Sequence, residues 1–175
     1  LRFTFTMGIL RFLLFPFAIL YDVVTRFRNY LYDIGHKKSF EFDVPVISVG
    51  NLNTGGSGKT PMIEYLIRLV KDSQKIATLS RGYGRKTKGL LFAGEQDSAS
   101  TIGDEPLQFH KKFGKEIQVT VGEDRAFAIP NILHEYPDTS VILMDDAFQH
   151  RSVRPQYSIL VTEYSKPFFK DFILP

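Results

Sequence analysis

The sequence predicts an α/β fold: a parallel sheet flanked by helices, with an amphipathic helix ahead of it. Two observations carry the prediction. From Val44 onward, short apolar runs alternate with helix-length segments, and a glycine-rich loop stands between the first such run and the first such helix. Size agrees with it, since 175 residues at 43% hydrophobic suffice for one α/β domain with a sizeable core and are too few for two.

The first forty residues form a unit of their own, 1–40, ahead of a domain spanning 41–175. The apolar run from Phe12 to Tyr21 is about half the roughly twenty residues that a helix needs to cross a bilayer. Pro16 is expected to kink or restart the helix. Beyond it Leu20, Val23, Phe27, Tyr30, Leu31 and Ile34 recur at three- and four-residue spacing with Arg26 and Arg28 off that line, and Gly35 is a helix stop. Such a helix suits a membrane interface, its arginines meeting anionic head groups; the competing reading is an ordinary helix packed on its own domain.

Within 41–175 the strands are expected at Val44–Val49, Ile76–Leu79, Ile117–Val121, Val141–Met144 and Tyr157–Thr162. Helices are expected at Lys59–Lys71, Asp104–Phe113 and Glu123–Tyr136, with Pro106 tolerated in a first turn and Pro130 a possible bend. Right-handed βαβ crossovers would gather the functional loops at one sheet edge, among them Ser80-Arg81-Gly82-Tyr83-Gly84. A basic, glycine-containing excursion runs from Arg85 to Gly94. There is no cysteine, which excludes disulfide frameworks and thiolate metal sites. A net charge of +3 favours anionic partners in general, without a nucleic-acid recognition pattern to go with it.

The loop itself is Asn53-Thr54-Gly55-Gly56-Ser57-Gly58-Lys59-Thr60. It departs from the phosphate-binding pattern Gly-x4-Gly-Lys-Ser/Thr only at its first position, where Asn53 tolerates positive φ better than most residues. An apolar strand precedes it and a helix follows, so amides and the helix dipole point at an anion. The fold expected is therefore P-loop NTPase-like, binding ATP: residues 53–60 hold the phosphates, Lys59 bridges the β- and γ-phosphates, and the Thr60 hydroxyl ligates Mg2+. Val141-Ile142-Leu143-Met144-Asp145-Asp146 delivers carboxylates to the same edge and resembles a Walker B element. Asp145 or Asp146 suffices for magnesium, leaving the other for water or substrate. A turn or cap aspartate is the plainer alternative.

Around this core stand further motifs in a fixed order: Ser48-Val49-Gly50-Asn51-Leu52 before the loop and Pro61 after it, Ser80-Arg81-Gly82-Tyr83-Gly84, Gly103-Asp104-Glu105-Pro106, Gly122-Glu123-Asp124-Arg125, and Asp145-Asp146-Ala147-Phe148-Gln149-His150. In combination they resemble the tetraacyldisaccharide 4'-kinase family over nearly the whole chain; Ala147 stands where the family commonly has glycine. The resemblance implies a lipid kinase of lipid A biosynthesis, transferring the γ-phosphate of ATP to the 4'-hydroxyl of a lipid disaccharide 1-phosphate. It also implies a peripheral position on the cytoplasmic face of the inner membrane of a Gram-negative bacterium, with no nucleic acid and no obligate protein partner. Asp104 is implied as the catalytic base, with Lys59 and Asp146 as the other catalytic residues. From the residues alone, Asp104 is equally a helix N-cap. Arg81 and Arg125 are candidates for the acceptor's 1-phosphate or the transferring phosphoryl, against surface salt bridges. Gln149 and His150 line the nucleotide or acceptor site or anchor their loop.

The family pairs its aspartate with a histidine in its C-terminal portion, which would lie beyond Pro175. A chain that begins at Leu1 and stops in an apolar stretch at Pro175 reads as a piece of a longer one, with Met7 a candidate natural start and a C-terminal lobe expected to be absent. Two other readings compete. A membrane-associated P-loop ATPase switch would carry a signature lysine where Thr54 stands, and the Asn-Lys-x-Asp motif of GTPases is absent. A catalytically incomplete ATP-binding fragment is compatible with the family.

Overall fold

The computed structural model describes residues 2–52, 58–146, 151–165 and 167, the first helix by its backbone alone up to residue 14. Helix α1 spans Arg2–Asp33 and is followed by β1 Val46–Gly50, α2 Lys59–Val70, β2 Ile76–Ser80, β3 Leu91–Phe92 and α3 Ala99–Ile102. Then come α4 Asp104–Phe113, β4 Gln118–Val121, α5 Arg125–Glu135, β5 Val141–Asp145 and β6 Tyr157–Leu160. The strands form one sheet in the order β3-β4-β2-β5-β1-β6, parallel throughout except for β3, which runs antiparallel to β4.

Every residue of β2 and β5 is buried, the pattern of a parallel strand covered on both faces. The strand period of two splits their side chains cleanly. Ala77, Leu79, Ile142 and Met144 pack with Ala128, Ile129 and Ile132 of α5 on one face. On the other, Ile76, Val141 and Leu143 pack with Ile63 and Ile67 of α2 and Phe109 and Phe113 of α4. Helices α2 and α4 thus lie side by side on one face, and both start at the sheet's carboxyl edge.

Several expectations need correction. Pro16 neither breaks nor restarts the first helix, which runs unbroken from Arg2 to Asp33; a helix can absorb a proline when the freed carbonyl meets solvent, and this one is exposed for most of its described length. Gly35, at φ 73, stops it as expected. The excursion from Arg85 to Gly94 carries the short edge strand β3, and α3 was not anticipated at all: four residues with a Ser98 capping box give no periodicity to read. The last helix starts at Arg125, capped by Asp124, rather than at Glu123.

Among the described side chains of helix α1, residues 15–33, none joins either core cluster. Phe17, Leu20, Val24 and Phe27 are each 58% or more exposed. It is tethered at its C-terminal end by Arg151, which donates to the Asn29 carbonyl at 3.0 Å, pairs with Asp33 at 2.6 Å and stacks over the Tyr32 ring.

Candidate active site

The sheet's carboxyl edge brings the candidate residues together because β1 lies beside β5, with Val49 opposite Asp145. The chain leaving β1 therefore emerges next to the acidic strand end. Gly58 caps α2 at φ 90, a left-handed conformation that favours glycine. The helix it starts places Lys59 and Thr60 in its first turn. The Lys59 ammonium donates to Asn51 Oδ1 at 2.8 Å and pairs with Asp146 Oδ1 at 3.2 Å. The Thr60 hydroxyl donates to Glu105 Oε1 at 2.9 Å, joining the heads of α2 and α4.

The two aspartates are not equivalent. Asp145, still in the strand, is 2% exposed, whereas Asp146 leaves it in a left-handed turn at φ 49 and has a side chain 62% exposed. Aspartate is one of the few residues that adopt this conformation readily. Burial, then the carboxylates of Glu105 and Asp146, push the Asp145 carboxyl up to about 7, with Lys59 opposing. Its Oδ1 is buried without a partner among the described residues. A buried, crowded carboxylate is costly unless a cation meets it.

Asp104 is the first residue of α4, and the cap is Gly103 at φ 93. The helix-cap role is thus taken by another residue. Asp104 is exposed, and no hydrogen bond or ion pair among the described residues engages it. One constraint on its position is a backbone contact with the loop after β2. A Cβ on Gly103 would stand 3.0 Å from Gly82 Cα, and one on Gly82 would stand 2.7 Å from the Ile102 carbonyl oxygen. Only glycines allow this approach.

Compared with known proteins, residues 10–175 match the model of the family described as LpxK, tetraacyldisaccharide-1-P 4'-kinase. This chain belongs to that family. It is 51% identical over 97% of its length to a tetraacyldisaccharide 4'-kinase of Flavobacterium johnsoniae, of which it covers 49%. It is 47% identical over 93% of its length to one of Bacteroides thetaiotaomicron, of which it covers 43%. The chain therefore spans about half the length of these relatives. The "apo" form of LpxK from Aquifex aeolicus in complex with ATP superposes with a TM-score of 0.78 at 42% identity, over 86% of this chain and 48% of that one.

Within this LpxK-family chain the remaining candidates are distributed unevenly. Asn53, Thr54, Gly55, Gly56 and Ser57 of the phosphate loop, and Gln149 and His150, lie outside the described residues. Arg81 is exposed in the loop after β2. Arg125 does not form a surface salt bridge: it is 1% exposed at the head of α5. It donates to the Gly122 carbonyl, while its Nε and second terminal nitrogen have no partner among the described residues. Burial pulls its guanidinium down to about 10, opposed by Asp145 and aided by Arg81. Arg125 thus lies in the field of Asp145, as a buried counter-charge behind the edge. Its burial excludes the surface salt bridge weighed as the plainer alternative, and nothing in Gly-Glu-Asp-Arg marks which side chain turns inward.

Three contacts at this edge were missed by sequence reasoning. Glu105 meets Thr60, and Asn51 holds Lys59. Arg85 pairs with Glu123 at 2.5 Å, and Glu123 also accepts from Gly89 N–H at 2.9 Å, fixing the start of the basic excursion. Glu105 and Asn51 stood inside quoted motifs, but their roles depend on the approach of α2 to α4 and to β1, which no spacing encodes.

Proposed function

We propose that the full-length protein transfers the γ-phosphoryl group of ATP to the 4'-hydroxyl of a tetraacyldisaccharide 1-phosphate, and that this chain supplies the donor half of the site. The observation that carries the reading is the convergence of Lys59, Thr60, Glu105, Asp145 and Asp146 at one sheet edge, with an unengaged Asp104 at the head of the adjoining helix. Loop 53–60 cradles the phosphates on backbone amides, and Lys59 neutralises charge on the β- and γ-phosphates.

Magnesium fits the residues present. Among the described residues no group of three or more His, Asp or Glu side chains could hold a metal by themselves, but magnesium takes only one or two carboxylates and fills its shell with phosphate oxygens and water. The buried, unpartnered Asp145 Oδ1 and the Thr60 hydroxyl are suitable hard donors, with Asp146 beside them. When bound, the ion neutralises phosphate charge.

Asp104 accepts the proton of the attacking hydroxyl as that oxygen bonds to the γ-phosphorus and the bond to the β–γ bridging oxygen breaks, releasing ADP. Arg81, Gln149 and His150 are candidates to hold the acceptor, whose 1-phosphate suits a guanidinium fork. The buried Arg125 acts from behind the edge as a fixed positive charge. Because an acceptor with several acyl chains stays in the bilayer, the exposed apolar side chains of α1 lie in the membrane interface, Phe17, Leu20, Val24 and Phe27 among them. No described helix is long and apolar enough to cross a membrane. The protein then sits peripherally, on the cytoplasmic face of the inner membrane, where ATP is available.

The test is phosphate transfer from labelled ATP to the lipid disaccharide 1-phosphate in detergent, with the full-length protein beside the 175-residue chain. Full-length protein phosphorylates the lipid, and Asp104→Ala abolishes turnover with nucleotide affinity near normal. Full-length protein that binds Mg-ATP and leaves the lipid unmodified refutes the kinase reading, and loss of ATP binding in Asp104→Ala moves that residue to a metal or structural role.

A further inference from the structure

Helices α2 and α4 are joined side chain to side chain at every turn of α2. Thr60 meets Glu105 at 2.9 Å, Arg68 stacks over the Phe113 ring at 5.3 Å, and Lys71 pairs with Glu116 beyond the end of α4. The central rung is Glu64. It is 6% exposed, and its Oε1 accepts from both Gln108 Nε2 at 2.5 Å and Lys112 Nζ at 2.6 Å, while its Oε2 accepts from Arg68 at 3.3 Å. It lies on the side of α2 that faces α4, covered by the half-exposed side chains of Arg68 and Lys112.

Ion pairs with cations as exposed as Arg68 and Lys112 add only modest stability. What Glu64 supplies is direction. The apolar layer beneath α2 and α4 resists separation of the helices, but it is non-directional and resists sliding along their axes weakly. Two donors from α4 converging on one oxygen of α2 fix that sliding coordinate. Glu64 lies one turn beyond Thr60, and Gln108 one turn beyond Asp104, so about 6 Å of rigid helix on each side separates this rung from the helix heads. The heads carry Lys59 and Thr60 on α2, and Asp104 and Glu105 on α4.

We propose that Glu64 is a positioning residue: through Gln108 and Lys112 it holds α4 in register with α2, and so sets where Asp104 stands relative to the phosphates held at the head of α2. The proposal rests on the kinase reading and adds to it a residue remote from substrate that acts on turnover. Phosphoryl transfer depends on positioning, and about 1 Å of misplacement costs on the order of a hundredfold in rate.

The experiment compares Glu64→Ala, Glu64→Gln and Lys112→Met with Ile132→Val, which trims the core on the opposite face of the sheet, all in the full-length protein. Each is measured for kcat, for KM of ATP, for Tm, and for amide hydrogen exchange over residues 107–113, the hydrogen-bonded amides of α4. Glu64→Ala is expected to lower kcat tenfold or more, and Glu64→Gln and Lys112→Met by about threefold to tenfold, with KM for ATP within about twofold. Exchange over 107–113 accelerates in all three. Ile132→Val lowers Tm and leaves kcat and that exchange unchanged. The proposal is overturned if the Glu64 and Lys112 variants keep kcat within twofold, or if Ile132→Val at equal loss of Tm lowers kcat as much. Should Glu64→Ala not fold, Glu64→Gln and Lys112→Met decide. A wild-type protein that transfers no phosphate refutes the kinase reading alone, and the register is then judged from hydrogen exchange, where unchanged protection in the Glu64 and Lys112 variants overturns it.

Discussion

Replacing Gly82 by alanine tests whether the placement of Asp104 depends on the contact between the loop after β2 and the head of α4. Gly82 has φ +73, where a side chain costs about 1–2 kcal/mol. Its Cβ would stand 2.6 Å from Arg85 Cδ, on a side chain held by the Gly89 carbonyl and Glu123, and 2.7 Å from the Ile102 carbonyl oxygen, which cannot move without moving the turn into α4. Overpacking of this kind adds about 1–3 kcal/mol, so the expected loss of stability is about 2–5 kcal/mol in all. The displaced turn includes Gly103 and therefore Asp104, and a shift of a sizeable fraction of an ångström there lowers kcat about tenfold to a hundredfold. Gly89→Ala is the control: its φ is +80, but nothing lies within 4 Å of its Cβ. That variant carries only the conformational cost, about 1–2 kcal/mol, and keeps kcat. The assay is thermal denaturation together with phosphoryl transfer by the full-length protein. If Gly82→Ala and Gly89→Ala lose the same stability and both retain kcat, the contact does not position Asp104.

Three further outcomes follow from the same structure. Asp124 caps α5 by accepting from Phe127 N–H at 3.1 Å, so Asp124→Ala lowers stability by about 1 kcal/mol in denaturant titration, and an unchanged midpoint contradicts the cap. Burial raises the Glu64 carboxyl, but Lys112 and Gln108 outweigh it and leave the group below its ordinary 4.5. Its charged form therefore contributes stability above about pH 4.5, which is lost as pH falls through the lower folded value. Wild-type protein accordingly exceeds Glu64→Gln in stability at pH 7, and the gap closes below pH 4.5; a gap constant with pH would show that the charge is not what stabilises. Deleting residues up to Ile34 abolishes co-sedimentation with vesicles containing anionic lipid, and undiminished binding by the shortened full-length protein removes α1 as the membrane contact.

The elements legible in the sequence were those whose signal is local. The head of α2 could be placed because Gly58-Lys59-Thr60 stands between an apolar strand and a helix-length segment, and β5 because an unbroken apolar run ending in Asp145-Asp146 has one natural setting, a buried parallel strand. Even the extent of α4, Asp104–Phe113, was correctly bounded from its composition. The four residues of α3 and the two of β3 were too short to show a period, and β3 forms only because β4 offers it an edge.

What the tertiary structure alone decided is which like residues differ. Asp145 and Asp146 are adjacent in sequence, yet one is buried and pushed up to about 7 while the other turns out toward Lys59. Arg81 and Arg125 are both arginines in edge motifs, yet only the second is enclosed. Glu64 reads as one charged residue on a surface helix until α4 is laid beside it. Sequence patterning records the face a residue turns to its own element, which backbone geometry imposes within a few residues. Burial, charge neighbours and register arise from elements that meet across dozens of residues, and those were settled only when α2, α4 and β5 packed at one end of the sheet.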